Sequence, residues 1–263
     1  LVLMTDPGLI TSRPGSAQAS GGQRYEHADT TLAESEFVNN CVPKEPSERK
    51  KEMDGIADIG APRAGLPQAD AMFPQTPAAA AALSVATRFY SPALLNHCIR
   101  SYLWGRIYAA AHGIAFDDEL YFVSALLHDI GLTDVFDSHR VPFEEAGGDL
   151  AWVFGVAAGW PGDRAARATE IIVQHMQGDV PSAADPESHI LQVATGWEVV
   201  GRRPEEFPVQ ARAELLARYP RLGFGDEFLG CFEDQAGRKP GSTAASSIAN
   251  NAAGRIKANP LDG

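Results

Sequence analysis

The stretch DDELYFVSALLHDIG, residues 117–131, decides the fold. Asp117, Asp118 and Glu119 place negative charge where a helix begins, and the helix dipole favours it there. Leu120, Val123, Leu126 and Leu127 then recur at helical spacing, and the run ends on His128-Asp129 before Gly131. An imidazole beside a carboxylate is costly to bury at the end of an apolar helix unless both find a partner. A divalent cation satisfies both at once. Upstream, LLNHCIRSY, residues 94–102, supplies a second imidazole, His97.

Outward from this stretch the sequence reads as helix after helix. Thr76-Pro77 opens an alanine-rich helix ending near Tyr90, and Ser91-Pro92 opens the next, which stops at Gly113. Pro142 opens a fourth helix, ending at Gly159, and Gly162-Asp163 a fifth, running through Ile171, Ile172 and His175 to near Gly178. Asp185-Pro186 opens a sixth, through Ile190, Leu191, Val193, Trp197 and Val200, ending at Gly201. Shorter helices are predicted around Val209 to Arg218 and Glu227 to Phe232. No segment shows sustained alternation with β-branched residues, so the predicted class is all-α.

Three regions differ in composition. Residues 1–52 are rich in Ser, Gly, Gln and charge without apolar period, and are expected to be a disordered lead or a non-native extension, with Met53 the natural start. Residues 53–237 are expected to form the helical core, and residues 238–263 a polar tail, either marginally helical or disordered. The charge of −12 argues against nucleic acid and anionic membrane as partners, because both reward basic patches. Between Lys51 and Lys239 all positive charge is arginine. Cys41, Cys98 and Cys231 are too few and scattered for a disulfide framework, so reduced thiols and a cytoplasmic location are expected. The expected partner is a small-molecule substrate; homo-oligomerisation is left open.

Four predicted helices each carry a metal-competent group near an apolar face: His97, the pair His128-Asp129, His175 and Glu198 in TGWEVVG. Each alone has a plainer reading. A helix-end histidine is most often satisfied by a backbone carbonyl, and Glu198 fits a solvated position on an amphipathic helix. Asp134, Asp137 and His139 read as surface decoration, His112 as a helix C-terminus imidazole, and His189 as exposed. Cys98 reads as a small core hydrophobe.

The combination resembles the HD-domain superfamily of metal-dependent hydrolases, whose hallmark is H…HD…D on an all-helical bundle. More narrowly, it is similar to the cyanamide hydratase-like branch. The resembling stretches are PALLNHCIRSYLWG, ALLHDIGLTDVF, FEEAGGDLA at Phe143 to Ala151, and IIVQHM at Ile171 to Met176. The resemblance implies that His97, His128 and Asp129 are metal ligands. It places Glu198 where the family has its last ligand, an aspartate; the extra methylene moves that carboxylate away from its backbone. His175 matches a pocket-lining histidine. The implied cofactor is a divalent metal, zinc or iron first and manganese as a further candidate. The implied reaction adds metal-activated water to a small nitrile-like or amide-like nitrogen compound, with Asp129 and His175 moving protons. Two other readings stand beside it: an HD phosphohydrolase on a nucleotide or phosphate ester, gripping phosphate through Arg100 or Arg106, and a catalytically impaired HD-fold binding or sensing protein.

Overall fold

The computed structural model describes residues 72–262. The expectations for residues 1–52, Met53 and Cys41 lie outside the described residues. The described chain is all-helical, with ten α-helices and no strand. In chain order they are α1 (Pro77–Phe89), α2 (Pro92–His112), α3 (Asp118–Leu127), α4 (Phe143–Ala157), α5 (Gly162–Gln174), α6 (Pro186–Val200), α7 (Val209–Arg218), α8 (Phe224–Arg238), α9 (Thr243–Ala249) and α10 (Ala252–Lys257). None is long and apolar enough to cross a membrane.

The starts follow the cap chemistry. Thr76, Ser91, Asp117 and Asp185 each accept a hydrogen bond from a first-turn backbone N–H, at Ala79, Leu94, Leu120 and Ser188. Proline sits in the first turn of α1, α2 and α6.

Helix α2 is the centre of the bundle. Every residue from His97 to Arg100 and on through Gly105 is buried, so this stretch has no solvent face. It packs against α1, α3, α6 and α8. Tyr102, Tyr121, Phe122, Trp104, Trp197 and Phe207 fill the spaces around it.

The chain turn after α3 fixes the HD pair. His128 keeps helical dihedrals (φ −60°, ψ −32°), whereas Asp129 breaks them (φ −103°, ψ 8°) and a 3₁₀ turn follows over Ile130–Leu132. Two adjacent side chains can then converge, which continued helix forbids. Gly131 lets α4 close on this turn: a Cβ there would lie 2.2 Å from the carbonyl oxygen of Phe143. Gly147 of α4 leans on the same turn, its missing Cβ 3.3 Å from the His128 carbonyl oxygen. The Gly131→Ala variant must push α4 away from the HD turn. An overpacking cost of about 1–3 kcal/mol is expected, read as a lower midpoint in urea denaturation; an unchanged midpoint would contradict the close contact.

One helix departs from expectation, and the tail takes the helical one of its two expected forms. Helix α8 begins before Glu227 and runs past Phe232, because Phe224, Phe228 and Phe232 form one apolar row; Gly230 and Gly237 face open space, whereas Gly225 lies against Asp262 and Ile256. The polar tail folds into α9 and α10, which pack on α8, and α10 also touches α6. Its apolar content is small but well placed: Ala244, Ala252, Ile256 and Leu261 are buried. Asp137 also differs from surface decoration, since it accepts hydrogen bonds from Gln235 (2.7 Å), Arg238 (2.5 Å) and Lys239 (3.1 Å) and ties its loop to the end of α8. His189 is held at both ring nitrogens, by the Val180 carbonyl and the Tyr108 hydroxyl.

Candidate metal centre

His97 from α2 and His128-Asp129 from the end of α3 meet in the interior, all three buried. The Nε2 atoms of the two imidazoles lie 3.2 Å apart. Asp129 Oδ2 lies 3.3 Å from His97 Nε2 and 3.2 Å from His128 Nε2. Three donor atoms thus form a nearly equilateral triangle. Bonds of about 2.0–2.1 Å to a tetrahedral zinc separate neighbouring donors by about 3.3–3.4 Å, so the triangle has the size of one face of such a site.

Protonation logic points the same way. His128 Nδ1 lies 2.8 Å from the Ala125 carbonyl, which can only accept, so Nδ1 carries the proton and Nε2 offers its lone pair. Neither oxygen of Asp129 has a hydrogen-bond partner, although both are buried. A buried carboxylate facing two imidazole nitrogens without a hydrogen bond is costly, and a cation removes that cost. Burial alone would raise the Asp129 carboxyl; the facing His128 and His97 overrule it and hold the group below the ordinary carboxylate range. Burial alone would lower His128, and the Asp129 charge reverses the sign.

His175, the C-cap residue of α5, sets its ring edge-on to His128, with centroids 4.9 Å apart. Its Nδ1 donates to the Ile172 carbonyl, which leaves Nε2 free. Burial, with His128 beside it, pushes this imidazole down to about 3, so it is neutral at neutral pH.

Glu198 is not the fourth donor in this arrangement. It is fully buried, but Oε1 accepts from Arg100 Nε (2.9 Å), Arg100 Nη2 (2.5 Å) and Arg221 Nη1 (2.9 Å), and Oε2 accepts from Trp104 Nε1 (2.8 Å). It faces the far side of His97, with Oε1 3.6 Å from Nδ1, too long for a hydrogen bond. Burial alone would raise its carboxyl; Arg100, His97 and Arg221 hold it at about 2. The longer side chain has carried the carboxylate past the donor triangle to the back of the His97 ring. Phe224 stacks on that ring, centroids 4.2 Å apart and planes 9° from parallel. The triangle therefore offers three protein donors, and it lines a cavity of about 130 Å³.

The chain is similar to two cyanamide hydratases of Saccharomyces cerevisiae, DDI2 and DDI3. Each is 28% identical to it over 190 residues, which cover 70% of this chain and 83% of the yeast protein. No protein-family model matches the chain.

Other side chains singled out from sequence have different duties. Arg100 is committed to Glu198 and to the Tyr219 and Pro220 carbonyls, and Arg106 donates to the Met72 carbonyl (2.7 Å), so neither lines the cavity. Cys98 is buried beside Tyr90 and His128, and burial pushes its thiol up, as for a core residue rather than a nucleophile. Sequence reasoning missed Arg221, Phe224, Phe228, Phe232 and the tail residues Ser247, Arg255 and Ile256. All lie outside the stretches that carry the resemblance, and only the spacing of the three phenylalanines gave a local signal.

Proposed function

We propose that this protein is a metal-dependent hydratase acting on a small nitrile-like compound of the cyanamide type, with His97, His128 and Asp129 as the ligands of a zinc or iron ion. The observation that carries this reading is the buried donor triangle, with its unpartnered Asp129 oxygens, opening onto a chamber of about 130 Å³. At about 30 Å³ per water molecule, that space holds about four waters. Cyanamide, with three heavy atoms, and one water fit within that volume. Three protein donors with a further position open is also the layout of catalytic rather than structural zinc sites. The similarity to two proteins named cyanamide hydratases supports the substrate class.

The cation supplies Lewis acidity, lowering the pKa of water and polarising the nitrile. The residues of the chain do the rest. The Ala125 carbonyl fixes the His128 ring, and Phe224 stacks on that of His97. Asp129 Oδ1, free of partners, accepts the proton that water loses as its oxygen bonds to the nitrile carbon. Neutral His175, with Nε2 free, relays that proton to the nitrile nitrogen as one C–N π bond opens. A second transfer from oxygen to nitrogen gives urea, and no group leaves.

Zinc-loaded or iron-loaded protein is expected to convert cyanamide to urea. Chelator-stripped protein should not, until metal is restored. An aryl phosphate assayed with manganese separates hydration from ester hydrolysis. Failure of every metal-loaded form to release urea would refute the proposal.

A further inference from the structure

The inner chamber does not end at the metal ligands. A second cavity of about 270 Å³ adjoins it and shares Met176, Arg202, Ser247 and Arg255 with it. No carboxylate lines this outer chamber, in a chain whose net charge is −12. Several arginines elsewhere are spent on partners: Arg100 and Arg221 on Glu198, Arg164 on Asp117 and Glu119, Arg167 on Asp185, Arg238 on Asp137; the exposed Arg88, Arg140 and Arg203 have no such partner among the described residues. The exposed Arg202 guanidinium has no hydrogen-bond or ion-pair partner among the described residues; its stem lies along α6, Cδ 3.3 Å from where a Cβ on Gly196 would be. Arg255 donates through Nη1 to the Asn250 carbonyl (2.7 Å), but its Nε is buried and unpartnered, and no acid faces it. The hydroxyls of Ser246 and Ser247 also lack protein partners among the described residues.

We propose that the outer chamber is an oxyanion subsite, built from Arg202 and Arg255 with the serine hydroxyls, and that the substrate carries a carboxylate- or phosphate-type group behind its small nitrogen head. This deepens the hydratase reading and rests on it for the position of that head. The chemistry follows from the donors. Two guanidinium forks and two hydroxyls offer only complementary contacts to an oxyanion, and a buried unpartnered Nε is costly until an acceptor arrives. Cyanamide held at the donor triangle leaves these donors unused. The C-terminal helices α9 and α10 supply Ser246, Ser247 and Arg255, so the tail helps to set the specificity.

Calorimetric titration of the zinc-loaded full chain tests this without turnover. The probes are cyanoacetate, its neutral counterpart acetonitrile, and inorganic phosphate. Cyanoacetate or phosphate should bind more tightly than acetonitrile. Arg202→Gln and Arg255→Gln should each weaken the anion by about tenfold or more, and Arg255→Lys should weaken it less than Arg255→Gln. Arginine-dependent binding of cyanoacetate marks a carboxylate substrate; that of phosphate alone marks a phosphorylated one. Equal anion affinity in the wild type and the double Gln variant, or no anion binding to the wild type, overturns the subsite. Thermal midpoints check that the variants fold, and Arg255→Lys keeps the test readable if Arg255→Gln does not. Absence of urea formation from cyanamide would strike the hydratase reading and leave the titration standing.

Discussion

His128→Ala and Asp129→Ala are each expected to lose bound metal and cyanamide hydration together. Either substitution leaves two donors of the three in the triangle. Removing a partner that merely supports a ligand costs about 10–100-fold in metal affinity or activity; removing a ligand should exceed the upper figure. The two variants differ in their side effects. Without Asp129, the two imidazole Nε2 atoms remain 3.2 Å apart, and they can share one proton. Without His128, the Asp129 carboxylate stays buried beside His97 alone, so this variant should also be the less stable. Elemental analysis of the purified variants and a urea assay check the pair of losses. Wild-type turnover by a metal-free variant would refute the assignment of these residues.

The helical class, the starts of α1 to α7 and the convergence of His97 with His128-Asp129 were legible in the sequence, because each rests on local chemistry. Cap residues, first-turn prolines and the spacing of Leu120, Val123, Leu126 and Leu127 act over a few residues. His128 and Asp129 are neighbours in the chain, so their convergence needs only a break in helical dihedrals, and Asp129 supplies it. What was not legible depends on partners far apart in sequence. Glu198 looked like a ligand because its position was right and its reach could not be read; Arg221, 23 residues on, decides where its carboxylate goes. The tail looked polar, and its packing rests on four small or aliphatic residues and on Asn259 and Asp262, whose partners are the Glu198 carbonyl and Arg221. The outer chamber needed both the tail and the end of α6, and no motif joins them.

Glu198→Gln should cost about 3–5 kcal/mol of stability, the range for removing one partner of a buried ion pair. Arg100 is fully buried and Arg221 nearly so, and both donate to Glu198 Oε1. The amide keeps the shape but loses the charge, and its NH₂ must face either those guanidiniums or the Trp104 indole N–H. Every orientation therefore sets donor against donor. Urea denaturation should show a large fall in midpoint. A fall below about 1 kcal/mol would mean that the Tyr219 and Pro220 carbonyls suffice for Arg100. Glu198→Asp separates the stabilising role from a ligand role. Aspartate withdraws the carboxylate from Arg100 and Trp104 and from the back of the His97 ring. Weaker metal binding by about 10–100-fold is then expected, with lower activity. Tighter metal binding and faster turnover would instead mean that the shorter acid reaches the donor triangle itself, and that glutamate impairs a site which aspartate completes.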